Sequence, residues 1–316
     1  MNKTAIFTFA VIAICSCSRQ QVKIAFEKEC KITPFTDLIS SIELIPLESN
    51  GTHRLSPMSE LDLSGSDYIL TDSNSVLRYS PEGKLLEDEG KRPANEKFQT
   101  RKVKEGILAY FGYGKSRPYR AALIKQQDTV KFLQNSAKVL NLSAEFPVFS
   151  AAKDGGTILI DSFSPTIYEY DRGKLNPHLS FDFGKYAIPE SFFEGNDPYV
   201  AAEMLFSREF ALITRYFEKD KYKFVEIHLQ NPMKTDFYYG IARNEKWHWF
   251  YAGKAGKDPL PSSFKLFDND DCLISIISSE AIGFLPDPFR RLVRNPDVLK
   301  SAKKNGNSVI AKIKMR

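Results

Sequence analysis

Short stretches in which apolar and polar residues alternate run along most of the chain, and turn-forming residues separate them. In residues 308–315 apolar side chains alternate with lysines towards the end of the stretch, which predicts a half-buried strand. Residues 210–216 and 222–229 are two apolar stretches around the charged sequence Glu-Lys-Asp-Lys, which predicts a hairpin. Residues 41–47 predict a further strand. The pattern therefore indicates a chain built mainly from short strands.

The same order of strands and turns recurs along the sequence. Residues 68–85 read YILTDSNSVLRYSPEGKL and align with residues 157–175, TILIDSFSPTIYEYDRGKL, at an offset of 89 to 90. A weaker copy at residues 128–140 parallels residues 74–86. Each copy predicts a strand, a polar turn, a second strand with an aromatic residue and another turn. Units of about 40 to 50 residues with four strands are typical of β-propeller blades.

The length of the chain sets the expected number of blades. About 300 of the 316 residues remain after an N-terminal export signal, which corresponds to six blades of this size, with seven as the alternative. We therefore predict an all-β fold, a single six-bladed β-propeller with short helical insertions near residues 196–206 and 295–305. A strand near Ile42 paired with a strand near Val309 would close the ring of blades.

The N terminus has the features of an export signal. Residues 5–14 are apolar or nearly so and follow Lys3, and this stretch is too short to span a membrane. The following sequence, Ile-Cys-Ser-Cys at residues 14–17, resembles a bacterial lipobox in which Cys17 is the modified residue. Several acyl chains on one cysteine form a stable membrane anchor. The sequence thus predicts lipidation at Cys17.

These features predict the organisation and location of the protein. Residues 1–16 are assigned to a signal peptide of the lipoprotein type, residues 17–34 to the lipidated cysteine and a tether, and residues 35–316 to the β-propeller domain. Because no acidic residue lies between Cys17 and Lys23, we expect an exported protein anchored in the outer membrane and facing the periplasm.

Composition narrows the classes of function. Apolar residues make up 42% of the chain and aromatic residues 13%, enough for a packed core. The net charge of +5 is too small to indicate nucleic-acid binding. Outside the export signal and Cys17, the cysteines are Cys30 and Cys272, and these form either a disulfide or two buried thiols.

Three segments resemble a known family. They are ITPFTDLISSIELIPLES at residues 32–49, PTIYEYDRGKLNPHLSFDFGKYAIPESF at residues 165–192, and the ending NSVIAKIKMR. The sequence is similar here to the six-bladed β-propeller lipoproteins of Bacteroidota. The resemblance implies a propeller fold, export and lipidation, and it implies no activity. In residues 89–98 a charged sequence, EGKRPANEKF, replaces the glycine-rich connection usual in that family.

The residues that carry chemistry show no catalytic, metal or cofactor motif. The four histidines are scattered through the sequence at His53, His178, His228 and His248, without the close spacing of a zinc site. Residues 268–271, Asp-Asn-Asp-Asp, lack the glycine and closing glutamate of a helix-loop-helix calcium site. A polar hairpin turn is the favoured interpretation of this segment. We therefore predict no cofactor, no bound metal and no catalytic residue.

The only two tryptophans define a candidate ligand site. On a strand, Trp247, Trp249 and Tyr251 share one face, and His248 and Phe250 share the other. Three stacked aromatic rings form a platform for a sugar ring or a peptide, and the same residues pack well between neighbouring blades. Both interpretations remain open, with packing between blades favoured.

The functional prediction is a lipid-anchored β-propeller that acts as a binding or protein-interaction module in the cell envelope. Its expected partners are the membrane, through the lipid anchor, and a glycan, peptide or envelope protein, without nucleic acid. The alternative is a propeller-type hydrolase or lyase that acts on a glycan or lactone at the central channel. Convergence of three or more Asp, Glu, Asn or His side chains at one channel mouth would favour the enzyme.

Overall fold

The computed structural model describes residues 23–26, 35–48, 59–71, 75–88, 99–114, 117–135, 146–152, 155–194, 199–200, 203, 207–231, 233–254 and 264–316. These residues form five sheets, each with four antiparallel strands, and one sheet carries an additional parallel strand. The first strands of neighbouring sheets contact one another around a central channel. This arrangement is a β-propeller, which confirms the predicted all-β class.

The strands are numbered along the chain. Two strands precede the first complete blade: β1 (Lys23–Ala25) and β2 (Ile39–Pro46). Blade 1 contains β3 (Glu60–Ser64), β4 (Asp67–Thr71), β5 (Val76–Tyr79) and β6 (Leu85–Asp88). Blade 2 contains β7 (Gln99–Val103), β8 (Gly106–Tyr110), β9 (Tyr119–Ile124) and β10 (Thr129–Gln134). Blade 3 contains β11 (Phe149–Ala151), β12 (Thr157–Ile160), β13 (Thr166–Asp171) and β14 (Lys174–Asp182).

The remaining strands complete the ring. Blade 4 is a long hairpin pair: β15 (Phe210–Lys219), β16 (Tyr222–Asn231), β17 (Lys234–Arg243) and β18 (Lys246–Lys254). Blade 5 contains β19 (Phe264–Phe267), β20 (Cys272–Ile277), β21 (Val309–Met315) and the N-terminal β2. The β15–β16 pair confirms the hairpin predicted around Glu218 to Lys221.

The prediction of six blades is wrong, because the described residues form five. The first strands of the blades begin at residues 60, 99, 149, 210 and 264, so their spacing varies from 39 to 61 residues. Of the described residues before β3, β1 joins blade 3 and β2 joins blade 5, and described parts of residues 184–207 and 278–308 are helical connections outside the blades. A fixed period applied to the whole length therefore counts one blade too many.

The strong repeat corresponds to blades 1 and 3. The Ile-Leu pair of the repeat lies in β4 in one copy and in β12 in the other, the second strand of each blade. The glycine turns at Gly83 and Gly173 lie between the third and fourth strands, and both glycines have positive φ angles of 84° and 82°. The alignment of the weaker copy, residues 128–140, with residues 74–86 is wrong by one strand. Residues 129–134 form β10, the fourth strand of blade 2, whereas β5 is the third strand of blade 1.

The ring closes in blade 5 as the sequence predicts. β2 pairs antiparallel with β21, with Ile42 opposite Ile313 and Leu44 opposite Ala311. These four residues are at most 1% exposed. The N-terminal strand is thus the outer strand of the last blade, and this pairing holds the two ends of the propeller together.

The N-terminal segment also packs across three blades. β1 pairs in parallel with β14 on the outer edge of blade 3, inside the segment predicted as tether. Phe26 then packs against Phe183 of the same blade and against Trp249 of blade 4, with ring centroids 5.7 and 5.5 Å away. Phe35 packs between Phe250 of blade 4 and Phe264 of blade 5, at 5.0 and 5.3 Å.

A buried carboxylate joins blades 2 and 3. Asp161 follows β12 and is completely buried. Its two oxygens accept hydrogen bonds from the hydroxyls of Tyr110 at 2.9 Å and Tyr113 at 3.2 Å. Nε of Arg120 lies 2.9 Å from the second oxygen in an ion pair, although its angle is not that of a hydrogen bond. The Asp-Ser turn of the repeat therefore has a structural role in blade 3.

Helices occupy the connections between strands. Short 3-10 helices cover Phe35–Leu38 and Gly184–Tyr186, and the α-helices are α1 (Glu190–Glu194), α2 (Ser279–Ile282), α3 (Asp287–Arg290) and α4 (Asp297–Asn305). α4 confirms the insertion predicted at 295–305, and Gly306 ends it with a φ of 71°. Of the predicted insertion at 196–206, residues 199, 200 and 203 are helical, and the others lie outside the described residues.

No helix in the described part of the chain has the length and apolar character needed to cross a membrane.

Candidate functional site

A cavity of about 410 Å³ occupies the central channel, and the first strand of every blade contributes to its wall. Blade 3 contributes Phe149 and Ser150. The charged side chains of the wall come from the other four blades and are Glu60, Asp62, Arg101, Arg215, Glu218, Lys219, Asp220 and Lys265. A concave site with a few convergent polar groups is where a propeller is expected to bind a ligand.

β-Bulges in two neighbouring inner strands carry two of the cations. In β15 the pairing register shifts between Ile213 and Arg215. In β19 it shifts between Phe264 and Leu266, so that Lys265 is the extra residue. A bulge changes the direction in which nearby side chains point and is common beside binding sites. The bulges therefore bring Arg215 and Lys265 into the channel wall at the contact between blades 4 and 5.

Lys265 is unusual because its side chain is charged in solution and only 6% of the residue is exposed. Burial lowers the pKa of its ammonium group, and the positive charge of Arg215 lowers that pKa further. The carboxylates of Glu226 and Glu60 act in the opposite direction, yet the pKa of Lys265 remains well below 10.5. Burial and the neighbouring Arg215 therefore favour the neutral form of Lys265.

Glu226, which lies close to both cations, has partners of its own. Its Oε1 accepts a hydrogen bond from Oγ1 of Thr214 at 3.1 Å and lies 2.6 Å from Nε2 of His228. Burial raises the pKa of the carboxyl group, but His228, Arg215 and Thr214 together lower it below its ordinary value. Glu226 is therefore an ionised group shared among several neighbours.

Two buried polar atoms in the wall have no hydrogen-bond partner among the described residues: Nε of Arg215 and Oγ of Ser150. Buried polar atoms in native proteins almost always have a partner. Both residues line the same cavity. A polar group of a bound molecule would satisfy them.

An acid–base cluster adjoins the channel between blades 3 and 4. Nε2 of His178 lies 3.0 Å from Oε2 of Glu218, and Nδ1 lies 3.3 Å from Oε2 of Glu169. The hydroxyl of Tyr216 also donates to Glu218. Burial lowers the pKa of His178, but the two carboxylates raise it above its ordinary value overall. Burial raises the pKa of Glu218, whereas His178, Tyr216 and Lys223 lower it more strongly.

The acidic segment 268–271 forms the turn between β19 and β20, as the sequence predicts. Oδ1 of Asp268 accepts hydrogen bonds at 2.9 Å from the backbone N–H groups of Asp270 and Cys272. Nζ of Lys312 lies 3.0 Å from Oδ2 of Asp268. The carboxylates of this turn therefore bind backbone and lysine groups.

The carboxylates of the channel do not gather around one point. Glu60 and Asp62 lie on β3, whereas Glu218 and Asp220 lie at the end of β15. Within the described ranges, no group of three His, Cys, Asp or Glu side chains is placed to hold a metal ion.

The predicted aromatic site lies away from the channel, on the outer strand β18. Its three residues pack on one face against the core between blades 3 and 4, and Phe250 faces the other side. The rings of Trp247 and Trp249 stack at 5.7 Å, and the hydroxyl of Tyr251 donates to Asp236 at 3.0 Å. This is the geometry of the packing interpretation. Ligand binding at Trp247, Trp249 and Tyr251 stays a prediction.

Two predictions about cysteines involve residues outside the described part of the chain. One is the lipidation of Cys17, and the other is a disulfide between Cys30 and Cys272, of which Cys30 is not described. Cys272 is a buried free thiol. Burial raises the pKa of this thiol to about 11, so it is a poor nucleophile at neutral pH.

Comparison with known proteins supports the fold. A crystal structure of a Bacteroides fragilis protein, described as a candidate exported protein, matches with a TM-score of 0.66. The two sequences are 12% identical, and the match covers 93% of this chain and 100% of the other. At this identity the similarity shows the shared architecture alone.

Other comparisons add no functional information. The β-propeller domain of Vanderwaltozyma polyspora Nup133 matches with a TM-score of 0.35 at 7% identity, covering 76% of this chain and 78% of that one. The N-terminal domain of Nup159 matches with a TM-score of 0.27 at 9% identity, covering 68% and 56%. No protein-family model matches the chain. No curated protein matches it either.

The channel residues carry no pattern in the sequence that marks them as a site. Arg215, Lys265 and Ser150 belong to no spaced motif, and they meet only because three distant strands line one channel. One signal was present in the sequence: Lys265 interrupts the apolar stretch Phe264–Phe267, where a central strand would be expected to remain apolar.

Proposed function

We propose that this protein is a binding module of the bacterial cell envelope whose ligand enters the central channel. The observation that carries this proposal is the channel cavity with two unpartnered polar atoms in its wall. Its volume of about 410 Å³ is in the range of small-molecule sites, roughly 300 to 1,000 Å³. A monosaccharide, a disaccharide or a short peptide end fits such a volume.

The location is part of the same proposal. The lipobox-like sequence supports a lipid anchor on Cys17 and an outer-membrane protein that faces the periplasm. The structural similarity to a protein described as a candidate for export is consistent with this location. Cys17→Ser should move the protein from the membrane fraction to the soluble fraction of cells, whereas the matched variant Cys15→Ser should leave it in the membrane fraction. If both variants distribute in the same way between the membrane and soluble fractions, Cys17 is not the lipidated residue.

A thermal-shift screen of the full chain tests the channel. Glycans, peptides and divalent cations are added separately, and any hit is repeated with Ser150→Phe, which places a ring in the cavity. Ser301→Phe, on the exposed side of α4, is the control. Binding at the channel predicts a shift that is lost in the first variant and retained in the second. A shift that both variants retain would place the ligand elsewhere.

The second candidate is a hydrolase or lyase acting on a glycan or lactone, in which the four carboxylates of the channel wall would supply the acid and base groups although they lie on two separate strands. If the wild-type protein converts such a substrate and Asp62→Asn does not, the result would support the enzyme. Binding of the same compound without turnover would support the binding module.

A further inference from the structure

We infer that His178 is a pH-sensitive tie between blades 3 and 4, which holds the two blades together more tightly when its imidazole is protonated than when it is neutral. The inference is separate from the proposed function, because it concerns the contact between two blades and holds for any channel ligand. It is carried by the number of donors that the histidine supplies, by the position of its partners and by the contrast with a neighbouring interface.

Both ring nitrogens of His178 face a carboxylate. Nε2 lies 3.0 Å from Oε2 of Glu218 on β15, and Nδ1 lies 3.3 Å from Oε2 of Glu169 on β13. A protonated imidazole has an N–H group on each nitrogen, whereas a neutral imidazole has only one. Whichever nitrogen keeps the proton in the neutral form, one carboxylate faces a lone pair and the other loses the opposite charge. The geometry therefore fits the protonated ring.

One of the two contacts crosses from blade to blade. His178 and Glu169 belong to blade 3, whereas Glu218 belongs to blade 4. The side chain of Glu218 is only 7% exposed, so water and salt screen this ion pair weakly. Loss of the proton on His178 would therefore remove an attraction between the blades that solvent does not replace.

The charged and titratable groups that face His178 come from three strands and are Glu169 of β13, Tyr216 and Glu218 of β15, and Lys223 of β16. Burial lowers the pKa of His178, and Glu218 and Glu169 raise it above 6.5 overall against the opposing charge of Lys223. The hydroxyl of Tyr216 donates to the same oxygen of Glu218 as the histidine, but it carries no positive charge. Nζ of Lys223 is itself paired with a carboxylate, that of Glu245, at 2.6 Å. These groups therefore do not replace the charge of the imidazolium.

The tie adjoins the channel. Tyr216 and Glu218 lie on the inner strand of blade 4 and line the cavity. When His178 loses its proton, the negative charge of Glu218 is less neutralised at the channel wall, and blade 4 can separate locally from blade 3 there. The channel would thus be more closed at acidic pH and more open at alkaline pH.

The interface between blades 2 and 3 provides a reference within the same molecule. It is joined by Asp161 together with Arg120, Tyr110 and Tyr113. An arginine stays protonated in proteins, and burial raises the pKa of both tyrosines further above 10.0. This interface contains no histidine among these four residues. It should therefore keep its strength over the range in which a histidine titrates.

Hydrogen exchange of the full chain, measured by mass spectrometry from about pH 5 to about pH 9, tests the tie. The rates are corrected for the intrinsic pH dependence of amide exchange. As the pH rises through the raised pKa of His178, we expect the amides of β14 and β15 to lose about 10-fold in protection, the effect of one charged hydrogen bond. The amides of β9 and β12, at the reference interface, should keep their protection. Constant protection of β14 and β15 over the whole range would overturn the inference.

Three substitutions assign the effect to the histidine. His178→Asn should give low protection of β14 and β15 at every pH, whereas His248→Asn, at a partly buried position of β18, should behave like the wild type. Glu169→Gln changes a side chain that is 31% exposed and should leave the fold intact. It should move the midpoint of the pH dependence to lower pH, because it removes a carboxylate that favours the protonated ring.

The result of Glu169→Gln decides the question even if His178→Asn does not fold. A histidine that only fills space at the interface would give no midpoint that responds to a neighbouring carboxylate. If Glu169→Gln keeps the wild-type midpoint, or if His178→Asn keeps the wild-type pH dependence, another group titrates at this interface and the inference fails.

Discussion

Replacing Asp161 by asparagine should destabilise the protein strongly, because this carboxylate joins blades 2 and 3 from a fully buried position. Asparagine has nearly the same shape, so the substitution removes the charge and leaves the packing in place. Arg120, whose side chain is only 12% exposed, would then lack its counter-ion. Tyr110 and Tyr113 would donate to a neutral oxygen or to the wrong end of an amide.

The structure sets the size of the effect. Removing one partner of a buried ion pair costs about 3 to 5 kcal/mol, and each hydrogen bond to a charged group contributes about 1.5 to 3 kcal/mol. These contributions overlap because all of them act on one carboxylate. We therefore expect a loss of about 4 kcal/mol in the free energy of unfolding. This corresponds to a melting temperature lower by about 8 °C, at roughly 2 °C per kcal/mol for a chain of this size.

Urea unfolding followed by tryptophan fluorescence measures this loss. Asp171→Asn is the control, since Asp171 pairs with Arg172 at the surface, where the side chains are 52% and 88% exposed, and it should change stability by less than about 0.5 kcal/mol. In a double-mutant cycle, Asp161→Leu combined with Arg120→Met should cost clearly less than the sum of the single variants. A loss below about 1 kcal/mol for Asp161→Asn, or additive losses in the double-mutant cycle, would show that this carboxylate does not hold blades 2 and 3 together.

Three further predictions concern the interfaces around blade 4. Trp249→Ala should lower the free energy of unfolding by about 3 kcal/mol while any channel ligand still binds; unchanged stability with lost binding would instead support the aromatic ligand site. Phe26→Ala should cost about 3 kcal/mol and speed proteolysis near the N terminus, as measured by mass spectrometry of the fragments. The raised pKa of His178 means that its contribution to stability is fully present below pH 6.5 and is lost as pH rises through the raised value. His178→Asn should therefore destabilise most below pH 6.5, and an equal loss at alkaline pH would contradict this.

Repeated local sequence was a reliable guide to the fold. The aligned residues of blades 1 and 3 share a turn glycine with positive φ and an Ile-Leu pair in the second strand, and each of these features depends on local geometry. The closing pair was predictable for a similar reason. Residues 308–315 alternate in the sequence, and the ring requires a partner for them near Ile42.

Features that depend on long-range packing were not predictable in the same way. The number of blades depends on how much chain the connections use, and residues 278–308 fold into helices that a fixed blade period does not include. The bulges at Arg215 and Lys265 cannot be seen in the sequence, because a bulge is defined by the partner strand. The channel site was missed for this reason, whereas the aromatic residues of β18 were noticed because they are close together in the sequence.

The parallel pairing of β1 with β14 has a consequence for the proposed lipid anchor. β1 lies on the outer circumference of the ring, and five residues separate Lys23 from Cys17. Five or six residues reach at most about 20 Å when fully extended. If Cys17 carries acyl chains as proposed, this short connection would keep the outer edge of blade 3 within about 20 Å of the bilayer surface. The pairing of β1 with β14 would then pass the pull of the anchor directly to a blade of the propeller and not to a free N-terminal arm.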